Sequence, residues 1–261
     1  MIPLREQEYI RDAFRQSLTG PVKVEFFTQR PAPVFIPGRE ECRFCEDIQQ
    51  MLEELAALSE KVSLRVHDLA KASTEAQKYG VVRAPATVVR GVLNRPIVYY
   101  GLPGGTFFSV LIDVFVAVSR NGTDLQPAVK KKLKRLKRHL PVQLFVTPED
   151  PHGPDLARAL AALALENGKL HLSIVEIAEF PALAKELAVE AVPVTLIDGR
   201  VRLAGAVAPA ALLDQIVKAA DAPLAAPAAR LPGGAVALDV PKADEVQRGE
   251  TRPSGLIIPR R

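Results

Sequence analysis

The strongest constraint on the fold of this chain is an internal repeat. Residues 83–87 read Arg-Ala-Pro-Ala-Thr, and residues 191–195, 108 positions later, read Ala-Val-Pro-Val-Thr. Upstream, the Phe-Phe-Thr at residues 26–28 resembles the Phe-Val-Thr at residues 145–147, at a spacing of 119. Repetition of this kind predicts two copies of one supersecondary unit. The first copy is expected to carry 11 extra residues between its first strand and the following helix.

Hydrophobic periodicity predicts the same order of elements, β-α-β-α-β-β-α, in both copies. In the first copy the predicted strands are 22–28, 62–66, 86–89 and 96–100, and the helices are 44–57, 74–79 and 107–119, after a helix at 6–18. In the second copy the predicted strands are 141–146, 170–177, 194–197 and 200–203, and the helices are 156–166, 181–188 and 209–220. We therefore predict an α/β fold with two tandem units, 1–120 and 121–221, each with a central mixed sheet flanked by helices. Residues 222–261, rich in alanine, proline and glycine, are predicted to form a flexible tail.

Both cysteines of the chain lie in one Cys-Arg-Phe-Cys tetrad, at Cys42 and Cys45. Residues at i and i+3 share a helix face, so the two sulfurs can form a short disulfide. Unpaired N–H groups and the dipole at a helix N-terminus favour a thiolate at the first cysteine, and Arg43 adds positive charge. Cys42 is therefore predicted to attack a substrate disulfide, and Cys45 to resolve the mixed disulfide.

Other uses of the cysteine pair stay open at this point. Two cysteines exclude a four-thiolate zinc site or iron–sulfur cluster within one chain, and the four histidines show no ligand spacing. We therefore predict no metal site, with zinc bound within the chain, a metal shared between two chains, or an inert buried pair as the alternatives.

The order of elements, the Cys-x-x-Cys helix and the Ala-Pro-Ala-Thr segment resemble the thioredoxin fold. Two such units in one chain resemble the protein disulfide oxidoreductases of thermophiles, also called glutaredoxin-like proteins, over roughly residues 5–220. The resemblance implies that Pro85 is a cis-proline beside the cysteines, with the backbone edge of Ala84 available to an extended substrate. It also implies that Glu25 is a buried proton relay for the resolving thiol. A purely structural proline and a solvent-facing glutamate are the alternatives. The matching stretches are residues 83–87, 100–104, 123–125 and 145–148.

The second copy departs from that family where the second dithiol is expected. The spacing of 108 places Asp150 and Gly153 at the positions of the two cysteines, and Pro193 at that of the cis-proline. Asp150 cannot form a disulfide, but it can cap a helix with Pro151 at the first helical position. The sequence thus predicts one working dithiol and one degenerate site.

A basic segment joins the two copies. Seven lysines and arginines lie between residues 130 and 138 without an intervening acid. Leucines and a valine at helical spacing over 124–140 predict a linker helix with a solvated basic side. Binding of nucleic acid or an acidic partner is the alternative, although the absence of interleaved aromatic residues argues against stacking on single strands.

Composition and termini suggest where the protein works. The chain starts without an apolar signal segment, and the apolar stretch 106–119 is short and broken by Asp113, so a cytoplasmic protein is predicted. Many prolines and arginines with few amides fit a thermophile or a GC-rich genome.

The predicted function is thiol–disulfide exchange with protein disulfides, with no cofactor beyond the redox-active disulfide. A thioredoxin reductase-like electron donor and a peroxiredoxin are the other expected partners; no membrane and no nucleic acid partner is predicted. One alternative is an electron-transfer module for peroxide reduction, because the N-terminal region of alkyl hydroperoxide reductase flavoproteins resembles this architecture. In those flavoproteins the redox-active Cys-x-x-Cys lies in the second unit, whereas in this chain it lies in the first. Another alternative is a redox-inactive adaptor.

Overall fold

The computed structural model describes residues 2–30 and 41–222 of the chain. Eight strands form one mixed sheet in the order β2-β1-β3-β4-β6-β5-β7-β8. The strands are β1 (Val22–Thr28), β2 (Val62–Asp68), β3 (Ala86–Arg90), β4 (Ile97–Tyr100), β5 (Leu140–Val146), β6 (Leu170–Glu176), β7 (Val194–Ile197) and β8 (Val201–Ala204). The helices are α1 (Leu4–Ser17), α2 (Cys45–Ala57), α3 (Ser73–Tyr79), α4 (Thr106–Ser119), α5 (Pro127–Leu133), α6 (Gly153–Glu166), α7 (Pro181–Glu186) and α8 (Pro209–Asp221).

The predicted α/β fold is confirmed, with the same order of elements in each half. In the first half, β1 pairs in parallel with β2 and antiparallel with β3, which continues into the β3–β4 hairpin. In the second half, β5 pairs in the same way with β6 and β7, and β7 with β8. The two helices that follow β1 and β5 begin at Cys45 and Gly153, in agreement with the spacing of 108.

The spacing of 119 between the first strands is wrong by one residue. Strand pairing matches Phe27 with Ala86, and Phe145 with Val194, so Phe27 and Phe145 are equivalent at a spacing of 118. Both phenylalanines lie in the same hydrophobic cluster. A shift of one residue would move every side chain of a strand to the opposite face of the sheet. Burial of Phe27 and Phe145 in the same core therefore fixes the alignment of the two strands, which similarity over three residues does not. The first copy therefore has ten extra residues, and the counterpart of Glu25 is Gln143.

Direct strand pairing joins the two units. Residues 97–100 of β4 pair in parallel with residues 172–175 of β6, so the two predicted sheets form one continuous sheet. Because the two strands are parallel, the loops after β4 and β6 leave the sheet side by side at the carboxyl ends of these strands. This junction is the feature that places parts of the second unit beside the cysteines.

The sheet separates two hydrophobic cores. On one face Val24 and Phe26 pack with α2 residues such as Ile48, within a large core that also includes side chains of α1, α4, α6 and α8. On the other face Phe27 packs with side chains of α3 and α7. Alternation along β1 therefore directs Glu25, like Phe27, to the face opposite α2.

The basic segment is not the linker helix that its periodicity predicts. Only Pro127–Leu133 is helical, because the chain then turns sharply to bury Leu136 and Leu140. Four of the seven cations pair with acids of the second unit, so the segment is held against that unit. The pairs are Lys130–Glu166 at 3.5 Å, Lys132–Asp214 at 2.8 Å, Arg135–Asp221 at 3.1 Å and Arg138–Asp198 at 2.7 Å.

Three further predictions concern the C-terminal tail, a membrane span and a metal site. The predicted tail, apart from Ala222, lies outside the described residues. Within residues 2–30 and 41–222, no helix is both long and apolar enough to cross a membrane. In that same part of the chain, no group of three or more His, Cys, Asp or Glu side chains is arranged to hold a metal ion.

Candidate redox site

Cys42 and Cys45 form a disulfide at the start of α2. The sulfurs are 2.00 Å apart and the Cα atoms 5.6 Å apart. The helix begins at Cys45, one residue later than predicted, and Cys42 lies just before the turn that leads into it. The backbone N–H of Ile48 donates to the carbonyl of Phe44 at 3.0 Å, which closes this first turn around the second cysteine.

The two cysteines differ in exposure. Cys45 is only 5% exposed, and its sulfur accepts the backbone N–H of Gln29 at 3.3 Å. Cys42 is half-buried, so it is the more exposed residue of the two. Arg43, between them, is exposed, with its guanidinium 5.2 Å from the centroid of the Phe44 ring. Both cysteines and Arg43 thus lie at the start of α2, as the tetrad predicted.

The Ala84–Pro85 peptide bond is cis, as the resemblance implied, and so is Val192–Pro193 in the second unit. Ala84 and Pro85 line the same groove as Arg43 and Phe44. The structure thus brings the predicted substrate edge next to the Cys-x-x-Cys segment.

The groove is shared between the two units. It has a volume of about 570 Å³. The first unit contributes the residues around the disulfide and the cis-proline. The second unit contributes the opposite wall, formed by Pro148, Glu149, Glu176, Ala178, Glu179, Phe180 and Pro181. Sequence reasoning missed this wall, because no motif marks it and only the β4–β6 pairing brings it to the cysteines.

Two glutamates of this wall have raised pKa values. Burial raises the pKa of Glu179 to about 7, with a further contribution from Glu176, against the opposing effects of the Leu102 N–H and Arg43. Burial also raises the pKa of Glu176, with a smaller contribution from Glu149, although two backbone N–H groups oppose it. Those donors, at Ala178 and Glu179, are 3.2 and 3.0 Å from the Glu176 carboxylate.

Glu25 is buried, at 4% exposure, and forms an ion cluster on the face of the sheet opposite α2. One carboxylate oxygen lies 2.9 Å from His67 Nε2 and the other accepts a 2.8 Å hydrogen bond from Arg90. Burial raises the pKa of Glu25, but these partners outweigh burial and the net shift is downward. Both oxygens are thus occupied away from the Cys45 helix, and the relay role stays a prediction.

In the second unit, the positions that correspond to the two cysteines are closely packed. Asp150 is 3% exposed, and its Oδ1 accepts the His152 N–H at 2.9 Å. Its Oδ2 has no hydrogen-bond partner among the described residues. The helix begins at Gly153 with Pro154 in its first turn, so Pro151 is not the first helical residue that the sequence predicted.

Gly153 is closely surrounded. A Cβ atom there would lie 2.6 Å from Asp150 Oδ2, 2.8 Å from Phe107 Cζ and 2.9 Å from Val146 Cγ1. A cysteine in its place would therefore require its neighbours to move.

Comparisons with known proteins agree with this architecture. A family model described as a thioredoxin domain matches residues 141–218. A protein disulfide oxidoreductase from Aeropyrum pernix K1 superposes with a TM-score of 0.73 at 23% identity, covering 84% of this chain and 94% of the other. Each half of this protein has the thioredoxin fold. No curated protein matches the chain in sequence.

A second similar structure is the NTD_N/C domain of the alkylhydroperoxide reductase AhpF from Enterococcus faecalis. It superposes with a TM-score of 0.72 at 22% identity, covering 83% of this chain and all of that domain. At these identities the two likenesses concern the fold. The role of the Cys-x-x-Cys disulfide in the first unit must therefore be argued from the residues of this chain.

Proposed function

We propose that this protein is a thiol–disulfide oxidoreductase that exchanges two electrons with protein disulfides through Cys42 and Cys45. The observation that carries the proposal is the position of their disulfide. It lies at the start of α2, more exposed at Cys42 than at Cys45, beside a groove that includes the cis-proline Pro85.

In the reducing direction the Cys42 thiolate attacks one sulfur of a substrate disulfide. A mixed disulfide forms, and the first substrate thiolate leaves and takes a proton from solvent. Cys45 then loses its proton and attacks the Cys42 sulfur, which releases the second substrate thiol. The protein dithiol becomes a disulfide and the substrate disulfide becomes two thiols, with two electrons and two protons transferred. The reverse sequence oxidises a substrate dithiol.

The surroundings suit this chemistry. Arg43 places positive charge beside Cys42, which favours its thiolate, and the N-terminus of α2 acts in the same direction. The Ala84 backbone lies at the groove, where an extended substrate segment can pair with it. The proposal requires no metal or organic cofactor, and it names a thioredoxin reductase-like flavoprotein as the class of electron donor.

The test is insulin reduction with dithiothreitol as the electron source. The wild-type protein should accelerate precipitation of the insulin B chain, and Cys42→Ser should fall to the dithiothreitol background, because the attacking sulfur is gone. Equal rates for wild type and Cys42→Ser would overturn the proposal. Serine replaces sulfur with a smaller polar atom at a half-buried position, so thermal unfolding of both proteins controls for folding.

A second candidate is electron delivery to a peroxiredoxin. It is favoured by the likeness to the NTD_N/C domain of AhpF, which extends over the whole of that domain. Stopped-flow mixing of the reduced protein with an oxidised peroxiredoxin tests it. Transfer faster than that to insulin would favour this candidate, whereas slower transfer would favour a general protein disulfide substrate.

A further inference from the structure

The wall that the second unit contributes to the groove is acidic. Glu149, Glu176 and Glu179 line it, and Glu41 adds a carboxylate from the first unit. The cations next to them are Arg43, which also lines the groove, and Arg83, whose guanidinium lies 5.5 Å from the centroid of the Phe180 ring. Among the described residues around this opening, carboxylates therefore outnumber cations.

Backbone donors hold this wall in place and connect it to the cis-proline. The Pro85 carbonyl accepts the Gly101 N–H at 3.2 Å, and the next N–H, that of Leu102, donates to Glu179 Oε1 at 2.5 Å. Gly101 has φ +92°, and a Cβ there would lie 2.8 Å from Glu176 Cβ. Backbone hydrogen bonds thus hold the carboxylates of Glu176 and Glu179, which lowers the ordering cost of binding a ligand there.

Within residues 2–30 and 41–222, the negative charge of the wall is incompletely compensated. Burial raises the pKa of Glu179, with a contribution from the charge of Glu176, and burial raises the pKa of Glu176, with a contribution from Glu149. The hydroxyl of Tyr99, a residue 3% exposed, has no hydrogen-bond partner among the described residues. Burial and the charges of the same two glutamates raise the pKa of Tyr99. A cationic group bound in the groove would compensate the charge of Glu176 and Glu179.

The groove is a substrate site on separate grounds, since it joins the disulfide segment to the cis-proline edge. An extended peptide that pairs there turns every second side chain the same way, so residues near its reactive cysteine meet the opposite wall. We infer that Glu149, Glu176 and Glu179 make the second unit a recognition element that selects disulfides flanked by lysine or arginine. This inference rests on the proposed function and adds a substrate class to it.

Single-turnover kinetics with synthetic peptides test the inference. Three peptides with one internal disulfide differ only in carrying lysine, glutamine or glutamate on both sides of one cysteine. Each oxidises the pre-reduced protein, and the reaction is stopped by acid and alkylation and followed by mass, since the chain has no tryptophan to report on it. We expect the lysine peptide to react about tenfold faster than the glutamate peptide at low salt, and the ratio to approach one at 1 M salt.

Matched variants identify the source of the preference. Glu176→Gln/Glu179→Gln keeps oxygen acceptors for the backbone donors but removes two charges, and should reduce the ratio to about twofold. Glu149→Gln, at an exposed position where folding is not at risk, should lower the ratio by a smaller amount. Glu190→Gln changes an exposed acid of the second unit outside the groove and should leave the ratio unchanged.

The outcomes separate the two proposals. Equal rates for the three peptides, or a preference for glutamate, would overturn this inference and leave the oxidoreductase function standing. A lysine preference that persists in the double variant and in Glu149→Gln would also overturn it, because another surface would then be responsible. Failure of the wild type to react with any of the peptides, together with inactivity toward insulin, would overturn the proposed function and this inference with it.

Discussion

The backbone N–H of Leu102 and the carboxylate of Glu179 form a 2.5 Å hydrogen bond between the two units. Leu102 follows β4 in the first unit, and Glu179 follows β6 in the second. Because β4 and β6 are neighbours in the sheet, this contact places a carboxylate of the second unit beside the cis-proline of the first unit.

Glu179→Gln is expected to stabilise the protein at alkaline pH. The pKa of Glu179 is raised to about 7 by burial, from an ordinary value of 4.5. Between these values the folded state holds a proton that the unfolded state has lost, so stability falls as the pH rises. Glutamine keeps the acceptor for Leu102 and removes this penalty. Urea unfolding should show the variant about 1 to 2 kcal/mol more stable at pH 8 and equal to wild type at pH 4.

A constant difference between the two proteins across this pH range would contradict the prediction, since it would mean that the effect does not arise from ionisation of Glu179. Glu190→Gln, at an exposed position of the same unit, is the control and should show no such difference.

Glu25→Gln is expected to destabilise the protein at neutral pH. The pKa of Glu25 is lowered by His67 and Arg90 despite the opposing effect of burial. The stabilisation is therefore complete above the ordinary carboxyl pKa and is lost as the pH falls through the lower, folded value. Removing the charge leaves Arg90 in a largely buried site without its partner, which should cost about 2 to 4 kcal/mol at pH 7.

Urea unfolding of wild type, Glu25→Gln and the exposed control Glu60→Gln measures this cost. The difference should narrow as the pH falls below the ordinary carboxyl pKa; a difference that stays the same from pH 7 to pH 3 would mean that shape rather than charge is responsible. If Glu25 is also the predicted relay, Glu25→Gln will in addition slow the resolution of the mixed disulfide by Cys45.

Cys45→Ser is expected to trap substrate on Cys42. The first attack needs only Cys42, the more exposed of the two, whereas release needs Cys45, which is 5% exposed. Intact-mass analysis after mixing with a disulfide peptide should therefore find a stable mixed disulfide in Cys45→Ser and almost none in Cys42→Ser. Equal amounts of adduct in the two variants would show that either cysteine can attack.

Rebuilding the second site with Asp150→Cys/Gly153→Cys is expected to destabilise the protein. The Asp150 change removes one close neighbour, but a Cβ at residue 153 would still lie 2.8 Å from Phe107 Cζ and 2.9 Å from Val146 Cγ1. Overpacking of this kind costs about 1 to 3 kcal/mol. Unfolding of the reduced protein measures it, with Gly122→Ala as the control, since a Cβ there would have no atom within 4 Å. Unchanged stability would mean that the surroundings of Gly153 are easily rearranged.

Much of the fold follows from local patterns in the sequence. Buried residues recur with the period of a helix or a strand, so the sequence predicts these elements. The spacing of 108 also correctly aligned the helices that begin at Cys45 and Gly153, and the two cis-prolines. The spacing of 119 was wrong because three similar residues cannot report which face of a strand they occupy. Only the pairing of Phe27 with Ala86, and of Phe145 with Val194, decides that.

By itself, then, the sequence determined two tandem α/β units, one dithiol at a helix start and one copy without cysteines. Only the tertiary structure decided that β4 pairs with β6, that Arg138 meets Asp198, and that Glu179 lies beside the cis-proline loop. The physical reason is that strand pairing uses backbone groups that every residue carries, while ion pairs join side chains far apart in the chain. Neither strand pairing nor a distant ion pair leaves a local pattern in the sequence. The acidic wall depends on the pairing of β4 with β6 and on glutamates that no motif marks.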